Sequence, residues 1–415
     1  MSLNTQPYKG TRDFYPEDKR KQKYMFGVLR DVVESFGYHE YDAPLIEPFE
    51  IYAAKTGDEI VNQQLYSFED RGGRKVAIRP EMTPSVSRMV AARRQELAYP
   101  LRWYSIPNLW RYERPQRGRL REHWQLNVDI FGVEDIEADF EIIQVADSIL
   151  KVFGAKPDNY KIRVNSLKAA ASVYKDLKLN NEQHVIVSKL LDKRSKISED
   201  EFNEALDNAV GEKVAASLRK YWTEEKPPEN IAKLLKLLEK EQITNAVFDP
   251  EIVRGFDYYT DIVFEVYDNS AENNRSMFGG GRYDGLVGAF GVEPVPTVGF
   301  GMGDVTLQNF LEANKLIPKL EPETNVVAIL IGDVYEPAQK VMSELRSQGL
   351  NVAVDSTNRN LDAKIKSAAK GGIKYALFIG EQELATGKYK LKNLETGQEL
   401  EIAGDEIVKN LKPEK

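Results

Sequence analysis

Hydrophobic and polar positions change period several times along the chain, and each change marks an element. Between 18 and 36, Met25, Val28, Leu29, Val32, Val33 and Phe36 recur at three- and four-residue steps, which predicts an amphipathic helix ended by Gly37. The following run, YHEYDAPLIEPFEIY, is strand-like, and Pro44 and Pro48 assign it to an edge, a bend or an interface. Gly72 and Gly73 predict a hairpin turn ahead of the strand KVAIRP, and a helix is expected over 84–97 with Thr83 as its N-cap. LRWYSIPNLW, an arginine-rich loop and HWQLNVDIFG then read as strand, loop, strand. In the last of these Gln125, Asn127 and Asp129 alternate with apolar residues and so share one face. Successive strands on short turns predict an antiparallel sheet with helices on one side. Residues 139–153 predict a further helix.

From about 168 to 246 the texture becomes helical and dense in Lys and Glu, with Ser198 and Glu201 in a capping-box pattern and a break at KPPEN. No catalytic signal stands out there. Sheet-like sequence resumes at FDPEIVRGFDYYTDIVFEVYD, MFGGGRYDGLVGAFG and VPTVGFGMGDVTLQNFLE. Glycines 279–281 and 299, 301 and 303 are open to two readings, a tight turn or a flat backbone surface for a purine or phosphate. Past an acidic, proline-containing linker near 316–324, NVVAILI, LNVAVDS and IKYALFIG alternate with helical stretches as βαβαβ, followed by a hairpin turning at Thr396 and Gly397. The first βα turn, GDVYEP, is not GxGxxG, which disfavours a dinucleotide-binding domain. The whole therefore reads as an α+β chain with an inserted helical segment and a C-terminal α/β domain.

Composition narrows the chemistry. A chain of 415 residues accommodates two or three domains. It has no cysteine, which excludes disulfides, thiolate metal sites and a cysteine nucleophile. The three histidines, His39, His123 and His184, are scattered. No run approaches the length of a membrane span and the N-terminus is polar, so a soluble, cytoplasmic protein is expected. A net charge of −8 argues against a general nucleic-acid coat while permitting a local basic site. One stretch has that character: RYERPQRGRLREHWQLNVDIFG places Arg111, Arg114, Arg117, Arg119 and Arg121 around Pro115 and Gly118. Such a turn is either a solvated basic hairpin or a holder of phosphate beside a small polar ligand.

With these residues in view the chain resembles the class II aminoacyl-tRNA synthetases, and among them the histidyl-tRNA synthetase family. Residues 37–46 resemble the class's first motif, which in the family forms a dimer interface. Residues 102–132 resemble the second motif and VGFGMGDVTL the third, while VRGFDYYTDIVFE at 253–265 and GGGRYDGLV at 279–287 resemble signatures peculiar to the histidine enzymes. The resemblance implies a class II antiparallel core at 1–167 and 247–318, a helical insertion at 168–246 and an anticodon-binding domain at 323–415. It also implies a cytoplasmic homodimer that uses ATP with Mg²⁺, L-histidine and tRNA(His), with no membrane partner.

Residue by residue, the resemblance implies that Arg111 bridges the histidine carboxylate and the α-phosphate of ATP. Arg254 faces the same phosphate, in a place that other class II enzymes give to a metal ion. Arg119 reaches the terminal phosphates, His123 stacks on adenine, and Gly301 and Gly303 belong to the ATP site. Glu81, Thr83 and Gln125 hold the α-amino group, Asp129 and Tyr259 bracket the imidazole, and Tyr258 and Tyr283 line the pocket. Arg114, Gln116 and Arg117 lie on a loop tip suited to the tRNA acceptor end, with Arg121 structural.

Departures from the family pattern accompany the match. Thr306 stands where the third motif carries an arginine for the γ-phosphate, and a lost charge-assisted contact of that kind costs ~1.5–3 kcal/mol. His123 replaces a commoner aromatic, and Asp129 a commoner glutamate. Either Arg119 and a differently placed Lys or Arg supply the missing contact, or activation is impaired. Thr306 thereby supports a second reading, a non-catalytic histidine-binding regulatory paralogue. A third, a sister synthetase for threonine, proline or glycine, would not carry RGFDYY together with GGRYDG.

Overall fold

In this computed structural model residues 3–53, 60–194, 197–224, 226–253, 258–270 and 276–411 are described. They divide into two compact units, Met1–Tyr15 with Lys21–Pro318, and Pro16–Arg20 with Lys319–Lys415.

Helix α1 (Pro16–Ser35) opens on a proline, whose missing N–H costs nothing at a helix start, and buries Met25, Leu29, Val32 and Val33. It ends as its periodicity predicts: Gly37 takes φ +82°, and Tyr38 N–H donates back to the Val33 carbonyl at 3.3 Å. The strand-like run that follows splits into β1 (His39–Glu40), β2 (Ile46–Pro48) and a short helix α2 (Phe49–Ala53), because Pro48 ends the pairing and the next turn buries Tyr52. Strands β3 (Ser67–Glu69) and β4 (Lys75–Ile78) form the expected hairpin, with Gly73 at φ +75°, and join β2 in a three-stranded sheet. Helix α3 (Thr83–Ala92) corrects the expectation for Thr83. The cap position is Met82, no side chain caps it, and Thr83 is the first helical residue. Pro84 removes one of the N–H groups that a cap would have served. The helix also stops short of residue 97.

Next come β5 (Leu101–Ser105), β6 (Asn108–Trp110), β7 (Glu122–Phe131), α4 (Ile136–Val152) and β8 (Tyr160–Ser166). Helices α5 (Leu167–Asp176), α6 (Asn181–Lys193), α7 (Glu199–Val210) and α8 (Glu212–Glu224) share their own core around Tyr174, Val187, Phe202, Leu206, Leu218 and Trp222. The capping box is present: Ser198 Oγ accepts from Glu201 N–H, and Glu201 Oε2 from Ser198 N–H. Helix α9 (Glu229–Lys240), beyond the KPPEN break, behaves differently. Its Ile231, Leu234 and Leu238 join the main core, so the stretch 168–246 distributes its apolar faces over two cores.

The unit closes with β9 (Ala246–Phe248), β10 (Ile262–Asp268), β11 (Ser276–Arg282), β12 (Thr297–Gly303) and α10 (Asp304–Ala313). The main sheet runs β1-β5-β7-β12-β11-β10-β8-β9, with β6 paired to the start of β7. Within this sheet, among the described residues, only β1 with β5 and β8 with β9 pair in parallel. Leu126, Val128 and Ile130, Val298, Phe300 and Met302, and Ile262, Phe264 and Val266 face the core under α1, α4, α9 and α10. Alternation turns the residues between them to the opposite face. One end of that face is closed by Val86 and Val90 of α3 against Leu101, Phe131, Val287 and Val295.

In the smaller unit β13 (Val326–Leu330), α11 (Tyr335–Ser347), β14 (Val352–Asp355), α12 (Leu361–Lys370) and β15 (Tyr375–Ile379) make the expected parallel βαβαβ. A short helix α13 (Glu381–Thr386) precedes the hairpin β16 (Lys388–Asn393) and β17 (Glu399–Ala403), and α14 (Ile407–Leu411) follows. Helices cover both faces of this sheet, which explains its nearly unbroken apolar strands.

A buried ion pair fastens β11 to α4. The Arg282 guanidinium donates to Asp139 Oδ2 and also to the Val133 and Asp135 carbonyls at 3.0 and 3.2 Å. Burial pushes the Asp139 carboxyl up against the opposing pull of Arg282. Arg282→Ala strands that carboxylate, so it is expected to cost roughly 3–5 kcal/mol of unfolding free energy, measured by chemical denaturation. A loss below about 1 kcal/mol would show that the pair is not a fastening.

Candidate active site

Strand register assembles the site. On β7 the odd-numbered residues His123, Gln125, Asn127 and Asp129 occupy the face turned away from the main core. Asp129 lies opposite Trp103 on β5 and Gly299 on β12; Asn127 opposite Ser105 and Gly301; Gln125 opposite Gly303. One strand further, Gly281 faces Gly299 and Gly279 faces Gly301. The glycines are therefore strand positions, and the turn reading is overturned. Their purpose is clearance. A Cβ on Gly299 would sit 2.1 Å from Asp129 Oδ1, and one on Gly301 2.3 Å from Gln125 Nε2. Gly303 serves as the N-cap residue of α10.

The imidazole end expected from the sequence is brought together as a closed polar-aromatic cluster. Tyr283 O–H donates to Asp129 Oδ1, and Tyr258 O–H donates to Glu81 Oε2 at 3.0 Å. The rings of Tyr258, Tyr259 and Tyr283 stand 4.9 to 6.4 Å apart. Burial pushes the Asp129 carboxyl up to about 7 despite the Tyr283 hydrogen bond. Burial, with Asp129 beside it, holds the Tyr283 hydroxyl well above its ordinary value. Gln125 Nε2 donates to Asn127 Oδ1 at 2.7 Å. Arg111 Nε donates to the Pro80 carbonyl at 2.9 Å, which ties the arginine to the segment that carries Glu81 and, two residues on, half-buried Thr83. Arg254 lies outside the described residues.

The arginine loop is a tight hairpin: Gln116 and Arg119 exchange backbone hydrogen bonds, and Gly118 turns at φ +80°. Arg114, Gln116, Arg117 and Arg119 are exposed. Arg119 Nη1 lies 3.6 Å from Glu113 Oε2. Arg121 is structural, as expected. It is buried, donates to the Glu113 carbonyl and to Tyr8 Oη, and packs on the Tyr112 ring at 3.9 Å. The loop tip lies over the first turn of α10, where a Cβ on Gly118 would be 3.5 Å from Thr306 Cγ2. Thr306 Oγ1 donates inward, to the Met277 and Gly303 carbonyls. Burial first, then the charges of Arg111 and Arg12, push His123 down to about 3, which leaves a neutral ring. Two residues the sequence did not single out complete this end: Asp304 accepts from Arg12 Nη2 at 2.7 Å and from Trp124 N–H at 3.0 Å. Their separation in sequence gave no local signal.

A mainly antiparallel sheet with helices on one face and, on the other, an arginine hairpin beside a buried polar pocket defines a class II aminoacyl-tRNA synthetase. Comparison with known proteins narrows this. The family model for histidyl-tRNA synthetase matches residues 10–305, and that for the anticodon binding domain residues 325–414. The histidine–tRNA ligase of Leptospira biflexa is 42% identical over 431 aligned residues, covering 100% of this chain and 99% of that protein. That of Haloarcula marismortui is 36% identical over 414, covering 95% and 94%. The histidyl-tRNA synthetase structure from Nostoc sp. PCC 7120 shares the fold, with a TM-score of 0.83 at 23% identity over 99% of both chains. The chain belongs to the histidyl-tRNA synthetase family.

Because the folded protein favours neutral Asp129, this group's contribution is intact below the ordinary carboxylate range and is lost as pH rises to about 7. Asp129→Asn removes the titration. Without histidine, the stability of Asp129→Asn relative to wild type is expected to grow by up to about 4 kcal/mol between pH of roughly 4 and 8, measured by urea unfolding. An offset that does not change with pH would contradict the burial of this carboxyl.

Proposed function

We propose that this chain activates L-histidine with ATP and passes the histidyl group to tRNA(His) for protein synthesis. A histidine carboxylate oxygen attacks the α-phosphorus, its bond to pyrophosphate breaks, and histidyl-adenylate forms. A hydroxyl at the 3′ end of the tRNA then attacks the acyl carbon and AMP leaves. The observation that carries this reading is the glycine-cleared face of β7, with Gln125 over Gly301 and Asp129 over Gly299 on the same face of the strand. Such chemistry rests on positioning and charge stabilisation rather than on a protein nucleophile.

In this reading Glu81, Thr83 and Gln125 receive the α-ammonium, and Thr83 is suited to it because its hydroxyl is not spent on a helix cap. Asp129 and Tyr259 bracket the imidazole, with Tyr258 and Tyr283 as walls. Asp129 ionises as the ring N–H arrives, which replaces a buried carboxyl's cost with a hydrogen bond. Arg111 bridges carboxylate and α-phosphate, Arg254 acts on the same phosphate, and neutral His123 stacks on adenine beside Gly301 and Gly303. Arg119 holds the leaving pyrophosphate and leaves Glu113 to do so. Thr306 is turned to backbone carbonyls, so Arg119, whose loop lies over it, takes the place of the missing third-motif arginine. The regulatory reading rests on Thr306 alone and is not favoured, since the family match runs through both the catalytic and the anticodon-binding regions.

Among the described residues no cluster of three or more His, Asp or Glu could hold a metal by itself. That donor set suits a Mg²⁺ held chiefly by the ATP phosphates, where it would neutralise charge on the leaving pyrophosphate. The C-terminal unit would read the anticodon at a cleft of about 770 Å³ beside the carboxyl ends of β13 and β14. This is where open parallel sheets bind ligands, and exposed Tyr335 offers a stacking surface beside Asn358 and Arg359. Exposed Leu45, Ile46 and Phe68 around the three-stranded sheet suit a homodimer interface. Among the described residues no helix is long and apolar enough to cross a membrane, and the cytoplasm is the proposed location.

Histidine-dependent exchange of pyrophosphate into ATP tests the reading. Exchange is expected with the wild-type chain, and none above a no-histidine blank would overturn it. Arg119→Ala is expected to lower kcat/KM for ATP by about tenfold to a hundredfold, whereas an unchanged value would leave the third-motif arginine without a replacement.

A further inference from the structure

Asn127 plays no part in the roles described above, yet its bonds fix the chemistry of the residue beside it. Asn127 Nδ2 donates to the Gln125 backbone carbonyl at 3.0 Å. A carbonyl can only accept, so the orientation of the Asn127 amide is decided without ambiguity. Its Oδ1 must then face Gln125. The group of Gln125 that meets it, at 2.7 Å, must be the Nε2 donor. Both amides are thereby set by one backbone oxygen. The Gln125 side chain lies over Gly301, where a Cβ would come within 2.3 Å of Nε2. With its NH₂ group donating to Asn127, Gln125 keeps its carbonyl oxygen as an acceptor. Asn127 is itself buried, at 4% exposure, and lies on the same face of β7 as Asp129.

We infer that Asn127 is a positioning residue for substrate selection: it locks Gln125 as an acceptor, so that the site takes an amino acid's α-ammonium and rejects ligands that offer no donor there. The inference rests on the histidine-pocket reading. A flipped Gln125 would present an NH₂ group to an ammonium, donor against donor. Asn127 prevents that arrangement without touching the substrate.

Asn127→Leu keeps the approximate shape and removes both hydrogen bonds of the lock. In histidine-dependent pyrophosphate exchange, Asn127→Leu is expected to raise the KM for histidine by about threefold to tenfold and to leave the KM for ATP within about twofold. Imidazolepropionate, which has the ring and carboxylate but no amine, should inhibit Asn127→Leu and wild type equally. An unchanged histidine KM in Asn127→Leu would overturn the inference. So would equal weakening of histidine and imidazolepropionate, because that is the mark of a pocket merely loosened. Asp129→Asn serves as the control. If it too leaves both ligands unaffected, the pocket reading fails; if it weakens both while Asn127→Leu changes nothing, only the assignment of Asn127 fails.

Discussion

The site depends on a single constraint, that a continuous β-ladder must leave a hollow on one face. Strands β7, β12 and β11 remain fully paired through the region, so the hollow cannot come from a break in the sheet. It comes from removing side chains. Gly299 lies under the Asp129 side chain and Gly301 under that of Gln125, and neither could carry a Cβ without displacing the polar group above it. On the reverse face the same strands bury Val298, Phe300 and Met302 in the main core. Alternation thus lets one strand support the fold with its even positions and clear the opposite face with its odd ones.

The free site also keeps its buried charge low. Burial raises the Asp129 carboxyl to about 7, so its charge is only partly formed at neutral pH, and burial with the charges of Arg111 and Arg12 keeps His123 neutral. Asp304 is neutralised by Arg12. These arrangements limit the cost of unpaired buried ions. Arginine is treated in the opposite way. Arg121 is built into the loop's base, while Arg119 stays half-exposed beside Glu113, so one stretch of five arginines divides into scaffold and reach. Thr306 sharpens that division, because its hydroxyl is spent on the backbone under the loop tip.

Local periodicity made much of this legible. The helix ending at Gly37, the hairpin at Gly73, the shared face of Gln125, Asn127 and Asp129, and the C-terminal βαβαβ all follow from spacing and turn chemistry. What was not legible depends on pairing between distant segments. The glycine runs read equally well as turns until the register set Gly299 against Asp129. Thr83 read as a cap because a hydroxyl before a helical pattern usually is one, and Pro84 altered that locally. Helix α9 looked like part of the inserted segment, since nothing in its own amphipathic pattern says which core it will enter. The pairing of Arg12 with Asp304 has no sequence signature at all. The roles proposed for individual residues, including Arg254, come from resemblance to the family motifs and not from spacing.

The central claim, that the glycine hollow seats histidine by giving Gln125 room, is tested most directly at Gly301. There an added methyl meets the Gln125 side chain first, its three nearest atoms 2.3 to 3.5 Å away. Calorimetric titration of Gly301→Ala with histidine, in the absence of ATP, is expected to show affinity reduced by about tenfold or more in a protein that still unfolds cooperatively. Wild-type affinity in that variant would contradict the claim.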